Sequence, residues 1–570
     1  MKDMFVIFLV FFVALPLSAQ DKPLPPPRDF QPETRQVRDV LPTLLLPEYV
    51  ITGSDMISFI QDRKGEVSEP DSHEFSARAG RGEREQRFVT TVPSHMPLRK
   101  PDLTGSSEVL RLRAGFGAYS TPRLEAWYAD RYPEGDAMAH FAYERSNGHV
   151  PHADYSHFNA GFSGGSYLPR NLTPLLASSR LQGDMQFQVS DYGLYADRVL
   201  QEQPVLDFRR TSFGLSAGMD LQSRNNQVLD HDVRLSFAHL AVDEALGIRD
   251  TLALDEYRQM ENLLALDASA RHRIAGHQTS FGLQLHVNDL SERMEESTRP
   301  FYMSSDAKMQ FDIGERTRLE GSAAMYLYRG SDHASQFRLY PSLLLHTNVA
   351  EHWSLFGGWL PEVREQTLSG FLRMNPYMML ASNIRHTDLP LRFRAGADYD
   401  NRRQSSARVF VEYLSSTSWP RFGLLDDPVR QQWEMRYDGR ASIVHLNLEL
   451  AHAFSKRTRV QLSTEIRTSS LDGYEGRIPY LPDYETRVLL THSFPFGLRV
   501  QTTVQLVGEQ EADGGALPAW MLLGLDLEYR IGRNFGVFLH LDNLLDQSWQ
   551  RWPGYRERPF FMMAGISTHI

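Results

Sequence analysis

The stretch that decides the fold is Leu391-Arg392-Phe393-Arg394-Ala395-Gly396-Ala397-Asp398-Tyr399-Asp400. In an extended chain successive side chains point to opposite faces, so Leu391, Phe393, Ala395, Ala397 and Tyr399 share a greasy side. Arg392, Arg394, Gly396, Asp398 and Asp400 share a polar one. The same period recurs downstream. Val444, Leu446, Leu448 and Leu450 alternate with His445, Asn447 and Glu449, and Val460, Leu462, Thr464 and Ile466 with Arg459, Gln461, Ser463, Glu465 and Arg467. Leu498 to Leu506 and Leu523 to Ile531 repeat it, the second opposing Gly524, Asp526, Glu528 and Arg530.

These runs last about 9 to 12 residues, whereas strands of soluble sheets average about 5 or 6. That length fits a tilted strand crossing a bilayer with one face in lipid and the other in water. Connections support the same reading. Very short ones at Gly314-Glu315, Ala350-Glu351, Ser455-Lys456, Pro495-Phe496 and Gly532-Arg533 alternate with long polar ones over 361–370, 415–429, 468–485, 508–518 and 543–557. Short turns on one side and long loops on the other are the asymmetry of an outer-membrane barrel, the short turns being periplasmic. From Val109 to Ile570 the pattern predicts about 22 to 24 strands, at roughly 20 residues for each strand and its connection.

Composition narrows the alternatives. The 570 residues are 41% hydrophobic and 23% charged, which is too apolar for a disordered chain. A net charge of -11 excludes a dedicated nucleic-acid binder, which needs a basic surplus. With no cysteine there is no disulfide scaffold, thiolate metal site or cysteine nucleophile. Residues 1–19 read as a cleaved signal peptide, one lysine followed by an apolar run too short to span a bilayer. Residues 20–104 are rich in proline and then in mixed charge, and read as a largely extended periplasmic segment. Residues 105–570 form the barrel. The fold class is therefore all-β, a transmembrane antiparallel β-barrel of about 22 strands.

Five local readings accompany this. Between Val242 and Leu266 the apolar positions fit helical spacing, which predicts a long loop with a helical turn. Trp127, Tyr128, Tyr132, Trp549, Trp552 and Tyr555 near strand ends are expected at the lipid headgroups. The lumen-facing charges Arg392, Arg394, Arg459, Glu465, Arg467, Asp526 and Arg530 are the expected determinants of solute selectivity. Gly214-Leu215-Ser216-Ala217-Gly218 fits a nucleophile pattern, but its neighbours alternate as a strand and provide no strand-to-helix turn. His149, His152 and His157 lack the paired helical context of a metal site and read as part of a solvated loop or of the lumen wall. No enzyme activity, cofactor or metal is implied.

The closing residues Leu541-Asp542-Asn543-Leu544-Leu545-Asp546, Trp552-Pro553-Gly554-Tyr555, Arg558-Pro559-Phe560 and Gly565-Ile566-Ser567-Thr568-His569-Ile570 resemble the last strand pair of TonB-dependent outer-membrane receptors. Thr568 and Ile570 stand where that family places aromatics. The resemblance implies that Phe560, Gly565, Ile566 and Ile570 belong to the terminal strand read by the barrel-assembly machinery. Glu48-Tyr49-Val50-Ile51-Thr52-Gly53 is similar to the run that precedes the family's plug, and by that resemblance would contact TonB or dock another periplasmic or surface protein by strand addition. The family's plug is longer than the segment available before the first strand, so a reduced or absent plug is expected. Two functions follow: passage or binding of a solute across the outer membrane, or a scaffold whose lumen or N-terminal arm holds a partner protein. Outer-membrane lipid is a partner in either case, and nucleic acid in neither.

Overall fold

The computed structural model describes residues 108–569, apart from residues 133–134, 170–172, 174, 177–178, 197–205, 224–228, 249–251, 293–296, 333, 381–382, 426–430, 438 and 533. The signal segment, the segment 20–104 with its Glu48–Gly53 island, and Ile570 lie outside the described residues.

Twenty-two antiparallel strands make one sheet. Each pairs with the barrel strand before and after it in sequence. The sheet closes where the first strand, Glu108–Gly117, pairs with the last, Phe561–His569, with Gly115 opposite Gly565. Closure leaves no unpaired edge, which is the condition for carrying a sheet through hydrocarbon.

The alternation read from the sequence is the inside and outside of this barrel. Phe337 and Leu339 are each 58% exposed and Ile566 is 63% exposed, while Arg392 and Glu412 are 4% and 0% exposed. Large apolar side chains facing outward around the circumference are what a membrane-spanning surface needs and what a soluble one avoids. Leu391, Phe393, Val409, Val411, Val444 and Leu446 form part of that belt.

The two rims differ. One carries the tight connections, such as 314–316 between Phe301–Ile313 and Thr317–Arg329, and 351–352 between Ser335–Ala350 and Trp353–Trp359. Gly314 adopts φ +69 there, a left-handed turn position that costs glycine nothing. The other rim carries the connections 360–390, 417–440, 472–483, 508–519 and 543–560, which hold short hairpins and the helix Leu368–Met374.

Two expectations are corrected. The segment Val242 to Leu266 is not a loop with a helical turn: Asp230–Ile248 and Leu252–Ile274 are a long antiparallel hairpin of 19 and 23 residues. About 10 residues suffice to cross the bilayer, so these strands rise well beyond it. Beyond the lipid the outer face no longer has to be apolar, and Asp243 and Arg258 pair there, so the two-residue period is lost. The aromatic girdle is also only partly as expected. Tyr128 and Tyr132 are 42% and 46% exposed, but Trp127, Trp552 and Tyr555 are buried and Trp549 packs on Trp520. The exposed rings at the short-turn rim include Tyr167, Trp353, Tyr529 and Phe535.

Candidate functional site

Four of the seven lumen charges named from the sequence belong to one continuous ladder on the inner wall. Arg392 donates to Glu412 at 2.7 Å and to Glu362 at 2.8 Å, and Arg394 donates to the same Glu412 oxygen at 2.8 Å. His445 bridges Glu412 at 2.5 Å and Glu465 at 2.8 Å. Arg467 donates to Glu465 and lies 3.9 Å from Glu485. Register makes the ladder: Arg394 is opposite Glu412, Glu412 opposite His445, His445 opposite Arg467, and Glu465 opposite Glu485. Arginines and His445 alternate with carboxylates across five strands and satisfy one another where the wall is shielded from bulk water. Arg551, from the connection 543–560, lies within electrostatic reach of Glu485 and Glu557, which carries the series from the wall into the loops.

The remaining three charges are elsewhere. Asp526 pairs with His540 at 2.6 Å. Arg459 and Arg530 face the lumen toward the short-turn rim, outside the ladder. Gly565 sits at the barrel seam, where a Cβ would collide with Phe538 and with the Ala114 carbonyl. Phe538 covers both Gly115 and Gly565, an aromatic ring filling space that two glycines vacate. Ile566 points to lipid and Phe560 is exposed just before the last strand. Ser216 lies in the middle of the strand Leu206–Gln222, with no exposed elbow. His149, His152 and His157 turn to three different partners, Arg556, Asp207 and Ser190.

Sequence reading did not find the roof. The connection 360–390 leaves the strand Trp353–Trp359 and is pinned to strands far around the barrel. Tyr302 donates to the Val363 carbonyl at 3.1 Å, and His286 meets Glu365 at 2.6 Å. Glu261 accepts from the backbone N–H groups of Leu368 and Ser369 at 2.8 and 2.9 Å, placing a carboxylate at the start of the helix Leu368–Met374. Tyr192 donates to the Pro376 carbonyl at 2.8 Å. Arg210, fully buried, donates to the carbonyls of Pro376 and Met378 and to Glu244. Glu244 accepts in turn from Gln432 at 3.3 Å.

Over these polar pins lies a hydrophobic core shared by four connections. Leu368, Phe371, Tyr377 and Met378 pack with Phe422 and Trp433, with Trp552 and Tyr555, and with Leu194. Tyr377 stacks on Tyr555, Trp433 meets Trp552 at 5.1 Å between ring centroids, and the Trp433 Nε1–H donates to Tyr480 at 2.8 Å. Each large ring removed from water contributes roughly 5 kcal/mol by buried area, as an upper figure. A mobile fringe of loops would not hold such a core, so the roof is part of the folded barrel. Its half-buried Glu557 has its pKa pushed up to about 7 by burial, against the pull of Arg551 and Arg558.

No family model and no curated protein matches this sequence. Solved structures do. The FrpB iron transporter from Neisseria meningitidis (F3-3 variant) superposes with a TM-score of 0.64 at 11% identity over 82% of each chain. The ferric-catecholate import receptor Fiu from K12 E. coli gives 0.61 at 11% identity over 82% of each chain. The copper transporter OprC gives 0.59 at 13% identity, covering 83% of this chain and 82% of that one. At such identities the likeness is one of architecture, and the closed sheet, its strand number and its lipid-facing belt agree with it: the chain has the 22-stranded barrel fold of the TonB-dependent outer-membrane receptors.

Proposed function

We propose that the protein is an outer-membrane receptor that binds a solute and passes it through the barrel, with the loop roof as its outer gate and the charge ladder as its polar lining. The observation that carries this reading is the roof itself. A 22-stranded barrel encloses a wide lumen, and here the connection 360–390 crosses the mouth and is fastened to the wall by Arg210, Glu244 and Glu261. A scaffold would need no such fastening over its own interior. FrpB and OprC are described as transporters and Fiu as an import receptor, which favours the transport reading of the shared fold.

Arg392, Arg394, Glu465 and Arg467 would set selectivity beneath the roof, with Arg459, Asp526 and Arg530 nearer the periplasmic exit. Glu48 to Gly53 would be the contact for TonB, and the strand ending at Ile570 the segment used in assembly. No residue is assigned a catalytic role.

Single-channel recording on the full chain in planar bilayers tests the gate. The wild type is expected to be nearly silent, and replacement of 365–386 by a Gly-Ser linker is expected to open a conductance at least about tenfold larger, because a barrel of this size then offers an aqueous lumen. A wild type as conductive as an open pore, or a linker variant as silent as the wild type, overturns the assignment of the roof. Deletion of Tyr49 to Gly53 with unchanged solute uptake removes the TonB contact.

A further inference from the structure

We infer that the lumen side of the barrel seam holds a binding site for a small oxyanion, a carboxylate or phosphate group, close to the periplasmic rim. The inference rests on the proposed passage of a solute and deepens it by naming a group that the solute carries.

The site follows from register. Arg113 on the first strand is opposite Ser567 on the last, Ser567 is opposite Gly536, and Gly536 is opposite Arg530. Two guanidinium-bearing residues thus flank two small ones in a single row across four strands. At about 4.8 Å between strands the row spans roughly 14 Å. Two arginine side chains can converge from its ends over a gap that neither Gly536 nor Ser567 fills. A Cβ at Gly536 would lie 2.7 Å from the Ser567 hydroxyl, so glycine is what keeps the floor open.

The partners of these groups point the same way. Ser567 is 5% exposed and, among the described residues, its hydroxyl has no hydrogen-bond partner. An unsatisfied buried hydroxyl costs about 1 to 3 kcal/mol unless something occupies its hydrogen bond. Glu125 stands opposite Arg113 but is held by Arg123, and among the described residues no ion pair joins a carboxylate to Arg113 or Arg530. Arg113 is held over the Phe538 ring at 3.8 Å, which fixes its plane without neutralising it. Arg111 and Arg499 lie in the same neighbourhood, and against these four arginines stand Glu528 and Glu125, the latter already held by Arg123, so the seam is cationic overall. A planar fork of donors beside a free hydroxyl matches the oxygens of a carboxylate or phosphate, and the charge surplus favours a multivalent one.

Isothermal titration of the full chain in detergent, with inorganic phosphate as probe and citrate in a second arm, tests the site. Saturable binding that weakens as salt rises is expected, stronger for whichever oxyanion the site prefers. The double variant Arg113→Gln/Arg530→Gln is expected to weaken it at least about tenfold, and Ser567→Ala about fivefold. Gly536→Leu, which fills the floor, is expected to abolish it. Each variant is accepted only if it keeps the wild type's gel shift on boiling, which reports the closed barrel. Absence of saturable binding to the wild type, or binding unchanged in the folded double variant, overturns the inference. Binding is read without transport, so anion binding that persists when uptake fails sinks only the proposed function.

Discussion

At one rim of the barrel Gly314-Glu315-Arg316 and Glu351-His352 turn the chain with three and two residues, and nothing lies within 4 Å of where a Cβ would stand on Gly314. At the other rim the connections 360–390, 417–440 and 543–560 share a core around Trp433, Trp552 and Tyr555. Both rims join the same strands, so the wall does not dictate the difference. The wall is held by backbone pairing and lipid, needs only alternation, and tolerates any turn that reverses the strand. The roof has no lipid to face and must bury its own apolar groups and satisfy its own polar ones, as a soluble domain does.

Variants can break or sharpen this contrast. The largest effect belongs to the seam, where Gly565→Leu would place a side chain against Phe538 and the Ala114 carbonyl. Closure itself is expected to fail, seen as loss of the boiling-dependent gel shift. Next comes Arg210→Met, which strands Glu244 without its guanidinium; breaking a buried pair costs about 3 to 5 kcal/mol. The roof should then become cleavable by protease between Leu368 and Met378 while the wall keeps its gel shift. If wall and roof fail together, they are one cooperative unit and the contrast is wrong.

A smaller effect comes from pH. Glu557, ordinarily near 4.5, is held near 7 in the folded roof by burial. Between those values the folded roof keeps a proton that an open loop would release. Stability from this group is thus full below about 4.5 and falls as pH rises toward about 7. Amide hydrogen exchange in 543–560 should quicken by a few-fold from pH 5 to pH 8, after correction for intrinsic rates, and Glu557→Gln should flatten that dependence. The smallest effect is expected at Gly314→Ala, where a side chain at φ +69 costs about 1 kcal/mol. A shift of that size in the denaturant midpoint, with the roof's protease pattern unchanged, would show the short-turn rim to be a simple reversal.

The contrast also explains what the sequence disclosed. Leu391 to Asp400 revealed the wall because one side must meet hydrocarbon and the other water, and that requirement writes itself into every second residue. The same rule put Arg392, Arg394, Glu465 and Arg467 on the lumen side, where the ladder forms. It failed above the membrane. Trp552 and Tyr555 look like headgroup aromatics from their place near strand ends, yet their partners Trp433 and Tyr377 come from connections more than a hundred residues away. Arg210, Glu244 and Glu261 carry no signal in the sequence that sets them apart, and only the path of 360–390 makes them pins. Contacts between distant loops leave no period for a single sequence to display. Val242 to Leu266 failed for the related reason that much of it stands outside the lipid that enforces the period.

The pairing of Gly115 with Gly565 has a consequence for how the molecule is made. The first strand has nothing to hold its free edge until the strand Phe561–His569 has been synthesised and exported, so no product truncated before that strand can mimic the finished cylinder. The entropy of bringing such remote positions together grows only with the logarithm of the intervening length, but until they meet an open sheet edge is available to any neighbouring chain. A cell that makes this protein must therefore shelter a long unfinished ribbon and release it only when its first and last strands have met.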